Sequence, residues 1–255
     1  MDYFGKGLSI INTKTKEYKI YSADTQLRHE IVFLTILSLV GENLDSRRIH
    51  RVHALGIEIK GKAVLILLPQ GGGKTTLMLE LLKHNDVKLI SEDTPLLNPS
   101  GEVLPFPIRI GIDAKAKLPD LPKNHIRLIE RMEFGPKYLV DIECFEGKIA
   151  KHPSKPAFII KGIRCLGAES RITPASRLDM LKAFIFNTVI GMGVYQGIEF
   201  IVQHSPLELI KKSGVAFSRL NNSYRAISRA KNLFFYMGGD IVRNSKTLID
   251  FLNRR

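Results

Sequence analysis

The 255-residue chain has no tryptophan and only two cysteines, Cys144 and Cys165. They form no C-x-x-C pair, so the sequence argues for reduced thiols in a cytosol and against a disulfide framework. Long apolar runs are also missing. Ile31 to Val40 is too short to cross a bilayer. Phe184 to Val202 is longer, but Asn187, Gln196, Glu199 and several glycines interrupt it, and it reads as a buried helix followed by a strand. Met1-Asp2-Tyr3 opens no signal peptide. The expectation is a soluble, cytoplasmic protein without a transmembrane segment.

Negative charge is scarce. There are 25 acidic residues against 38 Lys and Arg, a net charge of +13. That balance favours anionic partners: nucleotide, acidic substrate, RNA or membrane surface. It equally suits a solvated basic surface. The basic residues form no long block and are not interleaved with aromatics, which disfavours nucleic acid. No internal repeat or low-complexity linker is present. The length allows a substantial core, in one α/β domain or two small ones.

What the chain does have is concentrated between residues 63 and 82. The apolar run Ala63 to Leu68 stops at Pro69, and Gln70-Gly71-Gly72-Gly73-Lys74-Thr75-Thr76 follows. Leu77, Leu81 and Leu82 then recur at helical spacing. Strand, glycine loop and helix are the context of a phosphate-binding P-loop. Glycines let the backbone curl so that N–H groups point at an anion, and the helix N-terminus adds its dipole. Lys74 is placed to reach the β- and γ-phosphates, and Thr75 to hold Mg²⁺. The first glycine of the usual pattern is replaced by Leu68. Pro69 restricts Leu68 to extended geometry. The expected path therefore prolongs the strand by one residue and leaves a shallower cradle made by Gly71 to Gly73.

The flanks read as an alternating hairpin (Leu8 to Ile11, Tyr18 to Tyr21) and a helix from Leu27 that Gly41 stops. Val52 to Ile59 and Lys62 to Leu68 follow as strands joined by a Lys60-Gly61 turn. Val87 to Ile90 is a short strand running into Ser91-Glu92-Asp93-Thr94, where open α/β sheets bind ligands. Residues 113 to 137 read as an irregular basic excursion, a lid or a solvated loop, carrying His125, Arg127, Arg131 and Lys137. Lys155 to Ile163 is a strand. Thr173-Pro174 opens a helix to about Asn187, and a strand from Leu233 to Tyr236 precedes a closing helix from Asn244 to Leu252.

With the glycine loop, the acidic pair and Leu104-Pro105-Phe106-Pro107, the chain resembles the HPr kinase/phosphorylase superfamily. The resemblance runs from Arg51-Val52-His53 to Gly111 and returns faintly in the Pro174 and Leu233 to Leu252 segments. It implies an α/β fold with a phosphoenolpyruvate carboxykinase-like P-loop core, a mixed β-sheet flanked by helices. One HPr-kinase-like domain would cover 1–255: a hairpin and helix (1–46), a nucleotide-binding core (47–112), the excursion (113–154) and C-terminal strands and helices (155–255). The residues ahead of His53 are too few for the family's separate N-terminal domain.

The resemblance implies that His53 lies beside the phosphates and that Glu92 and Asp93 match the family's Asp-Asp pair. One of these carboxylates takes the acceptor's proton. The expected catalytic set is His53, Lys74, Glu92 and Asp93; Gln70 to Thr76 bind nucleotide, and Thr75 and Asp93 hold the metal. The cofactors are ATP and Mg²⁺. The departures are Leu68, the longer Glu92, and the lack of a Glu-x-Arg-Gly motif, which Lys161-Gly162-Ile163-Arg164 only distantly echoes. HPr itself as substrate and phosphorylase activity are therefore not carried over. The expected function is transfer of a γ-phosphate to a hydroxyl on a peptide, protein or small metabolite. Lasso-peptide tailoring kinases among the short relatives suggest a peptide by analogy. The alternatives are a catalytically inactive nucleotide-binding regulatory module and a basic RNA- or membrane-binding adaptor. A homo-oligomer is left open.

Overall fold

The computed structural model describes residues 5–12, 15, 17–69, 71–116, 118, 121–130, 135–165, 167, 169–189 and 206–254. Strands β1 (Leu8–Asn12) and β2 (Glu17–Tyr21) form the expected antiparallel hairpin, with Leu8 opposite Tyr21. Helix α1 (Thr25–Ser46) begins on the Asp24 carboxylate, which accepts from the N–H groups of Gln26 and Leu27. It does not stop at Gly41, which is buried within it. One helical glycine costs only about 1 kcal/mol relative to alanine, and packing of that face outweighs it. The turn after the helix instead uses Arg48, at φ 59°.

Strand β3 (His50–Arg51) leads to β4 (Leu55–Ile59) and β5 (Lys62–Leu67). Lys60 and Gly61 join the last two with φ of 50° and 73°, the paired positive values of a tight hairpin turn. Helix α2 (Lys74–Leu81) and strand β6 (Val87–Ser91) follow. Strands β7 (Leu96–Leu97) and β8 (Val103–Leu104) extend β3 into a small antiparallel sheet.

The described residues of the excursion include regular strands that its composition does not suggest. Strands β9 (Ile110–Asp113), β10 (Ile126–Ile129) and β11 (Lys137–Val140) form a three-stranded sheet in the order β10-β11-β9. Pro122 and Pro136 lie just outside these strands, so they cost no ladder hydrogen bonds.

Strand β12 (Pro156–Arg164) is followed by β13 (Arg171–Pro174) and α3 (Arg177–Phe184). The expected helix start at Thr173-Pro174 is displaced. Both residues belong to β13, an edge strand, where proline is tolerated. Ser176 caps α3 in a reciprocal box with Asp179. The helix widens into a π-helical turn over Ile185–Val189. The strand expected after it lies outside the described residues. Helix α4 (Pro206–Arg229), to which the sequence reading assigns no element, precedes β14 (Lys231–Met237) and α5 (Ile241–Asn253).

The main sheet has six strands in the order β13-β14-β12-β5-β4-β6. Strands β14, β12 and β5 are mutually parallel, while β4 is antiparallel to both of its neighbours. Each face of β5 packs on helices. Val64, Ile66 and Leu68 share one core with Leu77 and Met78 of α2 and Leu248 of α5. Ala63, Leu65 and Leu67 share the other with Met180 and Phe184 of α3 and Ile227 of α4. Burial on both faces explains the unbroken apolar run in β5.

The topology also fixes where the chemistry collects. Since β4 runs antiparallel to β5 and β6, its N-terminal end shares one sheet edge with their C-terminal ends. The register confirms this: Leu55 lies opposite Ile66, and Gly56 opposite Ser91. Residues just before β4, after β5 and after β6 must therefore converge.

Candidate functional site

The residues that converge are His53, the glycine loop with Lys74 and Thr75, and Glu92 with Asp93. Strand β5 ends at Leu67, one residue earlier than expected, and Leu68 continues without joining the ladder. Its side chain turns into the core, where Gly162 of β12 makes room: a Cβ on Gly162 would overlap the Leu68 side chain. The Leu68 carbonyl accepts from Lys74 Nζ at 3.2 Å. The leucine is thus an anchor for the start of the loop.

Beyond it, Gly72 donates its N–H to the Pro69 carbonyl at 2.9 Å, and a Cβ there would lie 2.8 Å from that oxygen. Gly71 and Gly73 have φ of 71° and 90°, values that other residues adopt only with strain. Gly73 caps α2 with no side chain, and the N–H groups of Gly73, Lys74 and Thr75 have no partner among the described residues. They stand at the positive end of the helix, an arrangement suited to an anion. Gln70, expected to share in nucleotide binding, lies outside the described residues. Thr76 is exposed and lines the same cleft.

Two polar clusters meet beneath the loop. In the first, His53 Nε2 lies 2.6 Å from Lys74 Nζ and 3.0 Å from Asp93 Oδ1, and Lys74 Nζ lies 3.4 Å from the same carboxylate oxygen. Nε2 can accept from Lys74 or donate to Asp93, but one ring nitrogen cannot do both. The backbone holds this group from several sides: the His53 N–H donates to the Asn187 carbonyl and the Ala54 N–H to the Asp93 carbonyl. In the second cluster the Thr75 hydroxyl donates to Glu92 Oε1 at 2.5 Å.

The adjacent carboxylates have opposite electrostatics. Burial pushes Glu92 above its ordinary value, and the negative charge of Asp93 adds to the shift. Burial also acts to raise Asp93, but the His53 hydrogen bond and the charges of His53 and Lys74 outweigh it and hold that carboxyl low. Asp93 keeps its charge while Glu92 bears the cost of the neighbouring charge.

The loop and both clusters open into one cleft of about 1190 Å³. Its apolar side is built by Leu79 and Leu82 of the α2 segment, by Ile112 and Leu118, and by Phe145. Of the basic residues expected in a lid, Lys137 reaches the cleft. His125 Nδ1 instead lies 3.4 Å from Asp141 Oδ2, and Arg131 is outside the described residues. Lys148, whose Nζ donates to the His84 carbonyl at 2.8 Å, is a cleft residue that the sequence reading misses. Only the folding of its loop against β6 places it there.

An all-oxygen pair, Thr75 Oγ and Glu92 Oε1, faces the cleft and suits a hard cation such as Mg²⁺. Among the described residues no group of three or more His, Cys, Asp or Glu converges. Magnesium needs no such cage, because it keeps waters and uses one or two carboxylates together with substrate phosphates. Of the two residues expected to hold the metal, Thr75 bonds Glu92, while Asp93 lies against His53 and Lys74.

No protein-family model matches the chain, and a search of curated proteins finds no match either. Among the described residues no helix is long and apolar enough to cross a membrane.

Proposed function

We propose that the protein is a Mg²⁺- and ATP-dependent kinase that phosphorylates a hydroxyl group. The observation that carries this reading is the meeting of a helix-capping glycine loop, Lys74 and a carboxylate pair at one sheet edge. Phosphoryl transfer needs positioning and charge neutralisation more than covalent chemistry. The free N–H groups at the start of α2 and the Lys74 ammonium would hold the β- and γ-phosphates. Thr75 and Glu92 would hold Mg²⁺, which when bound supplies further positive charge to the phosphates.

Asp93 is then the carboxylate for the acceptor. It is already ionised, and its low affinity for protons suits orientation of the hydroxyl and late acceptance of its proton. His53 has a defined part in this. Its Nε2, 3.0 Å from Asp93 Oδ1, would donate to that oxygen and fix the carboxylate's direction. The resemblance to the HPr kinase superfamily points to the same class of reaction.

The test is incubation with labelled ATP, Mg²⁺ and cell extract, followed by identification of what becomes labelled. Lys74→Ala should abolish labelling and weaken ATP binding seen by calorimetry. Unchanged ATP affinity and turnover in that variant would remove the assignment.

A further inference from the structure

The groups assigned so far all come from the main-sheet side of the cleft. The three-stranded sheet also lines the cleft, and its strand β11 begins with Lys137. Lys137 lies opposite Asp113 in the ladder, yet forms no ion pair with it. Its stem folds across Gly111 instead: a Cβ on that glycine would lie 3.3 Å from Lys137 Cδ and 3.5 Å from Nζ. Both residues line the cleft.

The other lysines of the cleft are engaged. Lys74 is held by His53, Leu68 and Asp93; Lys83 bonds Glu80 at 2.5 Å; Lys148 bonds the His84 carbonyl. Among the described residues Lys137 is the cleft lysine with neither a hydrogen bond nor an ion pair. An anion in the cleft would give this ammonium a direct hydrogen-bonded partner. The charge also reaches Glu92, where it opposes the upward shift that burial and Asp93 cause. Lys137 lines the same cleft as Lys74 and the Thr75–Glu92 pair.

We infer that Lys137 is a second anion-binding residue, closing on the terminal phosphate of a nucleoside triphosphate from the three-stranded sheet. This rests on the nucleotide reading above. Its consequence is specificity: a positive charge at the terminal phosphate favours a triphosphate over a diphosphate, whereas the loop and Lys74 serve both.

Calorimetry with Mg-ATP and Mg-ADP tests it on the wild type, Lys74→Ala, Lys137→Met and Lys137→Arg, with thermal unfolding as a check on folding. Loss of one charge-assisted contact should weaken Mg-ATP binding about tenfold in Lys137→Met. Mg-ADP should change less than about threefold on the same argument, and Lys137→Arg should restore most of the ATP preference. Should Lys137→Met fold poorly, Lys137→Gln is compared in the same way. The inference is overturned if the neutral variants bind both nucleotides as the wild type does, or lose both equally without recovery in Lys137→Arg. If the wild type binds neither nucleotide while remaining folded, the nucleotide reading itself fails, and this inference with it.

Discussion

Glu92 and Asp93 are neighbours in sequence with different environments, and isosteric amides separate their roles. Under the proposed kinase function, Asp93→Asn removes the negative charge that would orient the acceptor and leaves the glycine loop intact. A rate loss of roughly 10² to 10⁴ is expected, with Mg-ATP affinity less affected. Glu92→Gln should also lose turnover, but with a raised Mg²⁺ requirement. It carries a second consequence for stability. Glu92 has a folded-state pKa above its ordinary value of 4.5, so its ionisation opposes folding as pH rises past that value. Glu92→Gln should therefore unfold at a higher temperature than the wild type near neutral pH, with the gain fading below pH 4.5. Thermal unfolding at several pH values checks this, and a variant less stable than the wild type at neutral pH would contradict it.

At the scale of elements, the unusual feature is how the loop is anchored. The start of the glycine loop is fixed by the packing of Leu68 against Gly162 on β12. Gly162→Ala should destabilise the fold by about 1–3 kcal/mol, as overpacking of a filled core does. Because the Leu68 carbonyl also holds Lys74, nucleotide affinity should fall with it. The double variant Leu68→Ala/Gly162→Ala frees the space, so its loss of stability should be less than the sum of the single losses. Simple additivity in denaturant titrations would show that the two side chains do not share this space.

At the scale of the molecule, a polar network away from the cleft ties three segments together. Asp45 near the end of α1 accepts from Arg219 of α4 at 2.6 Å and lies 2.7 Å from His50 Nδ1 of β3; the other His50 nitrogen meets Ser218 Oγ at 2.8 Å. Burial alone would raise the Asp45 pKa, but its hydrogen bonds with His50 and Arg219 and their charges bring it below 3.8. A lowered carboxyl adds stability above its unfolded-state value and loses it as pH falls through the folded one. Asp45→Asn should cost about 3–5 kcal/mol, the range for breaking a buried pair and leaving one charge behind. The difference from the wild type should shrink below pH 3.8. Urea unfolding at neutral and acid pH measures both effects.

The sequence alone determined the local elements whose cause is local. The Lys60-Gly61 turn, the doubly buried β5, the glycine loop entering α2 and the acidic end of β6 are legible because turn chemistry, burial pattern and helix capping act over a few residues. Local rules misread Gly41 and Pro174, where neighbouring helix packing and an edge position reverse the usual meaning of the residue. Tertiary structure alone decided which carboxylate meets which partner. Strand order and register set Glu92 against Thr75 and Asp93 against His53 and Lys74, and they bring Lys137 and Lys148 to the cleft from segments distant in sequence. Such pairings depend on how strands lie side by side, which periodicity within a strand does not encode.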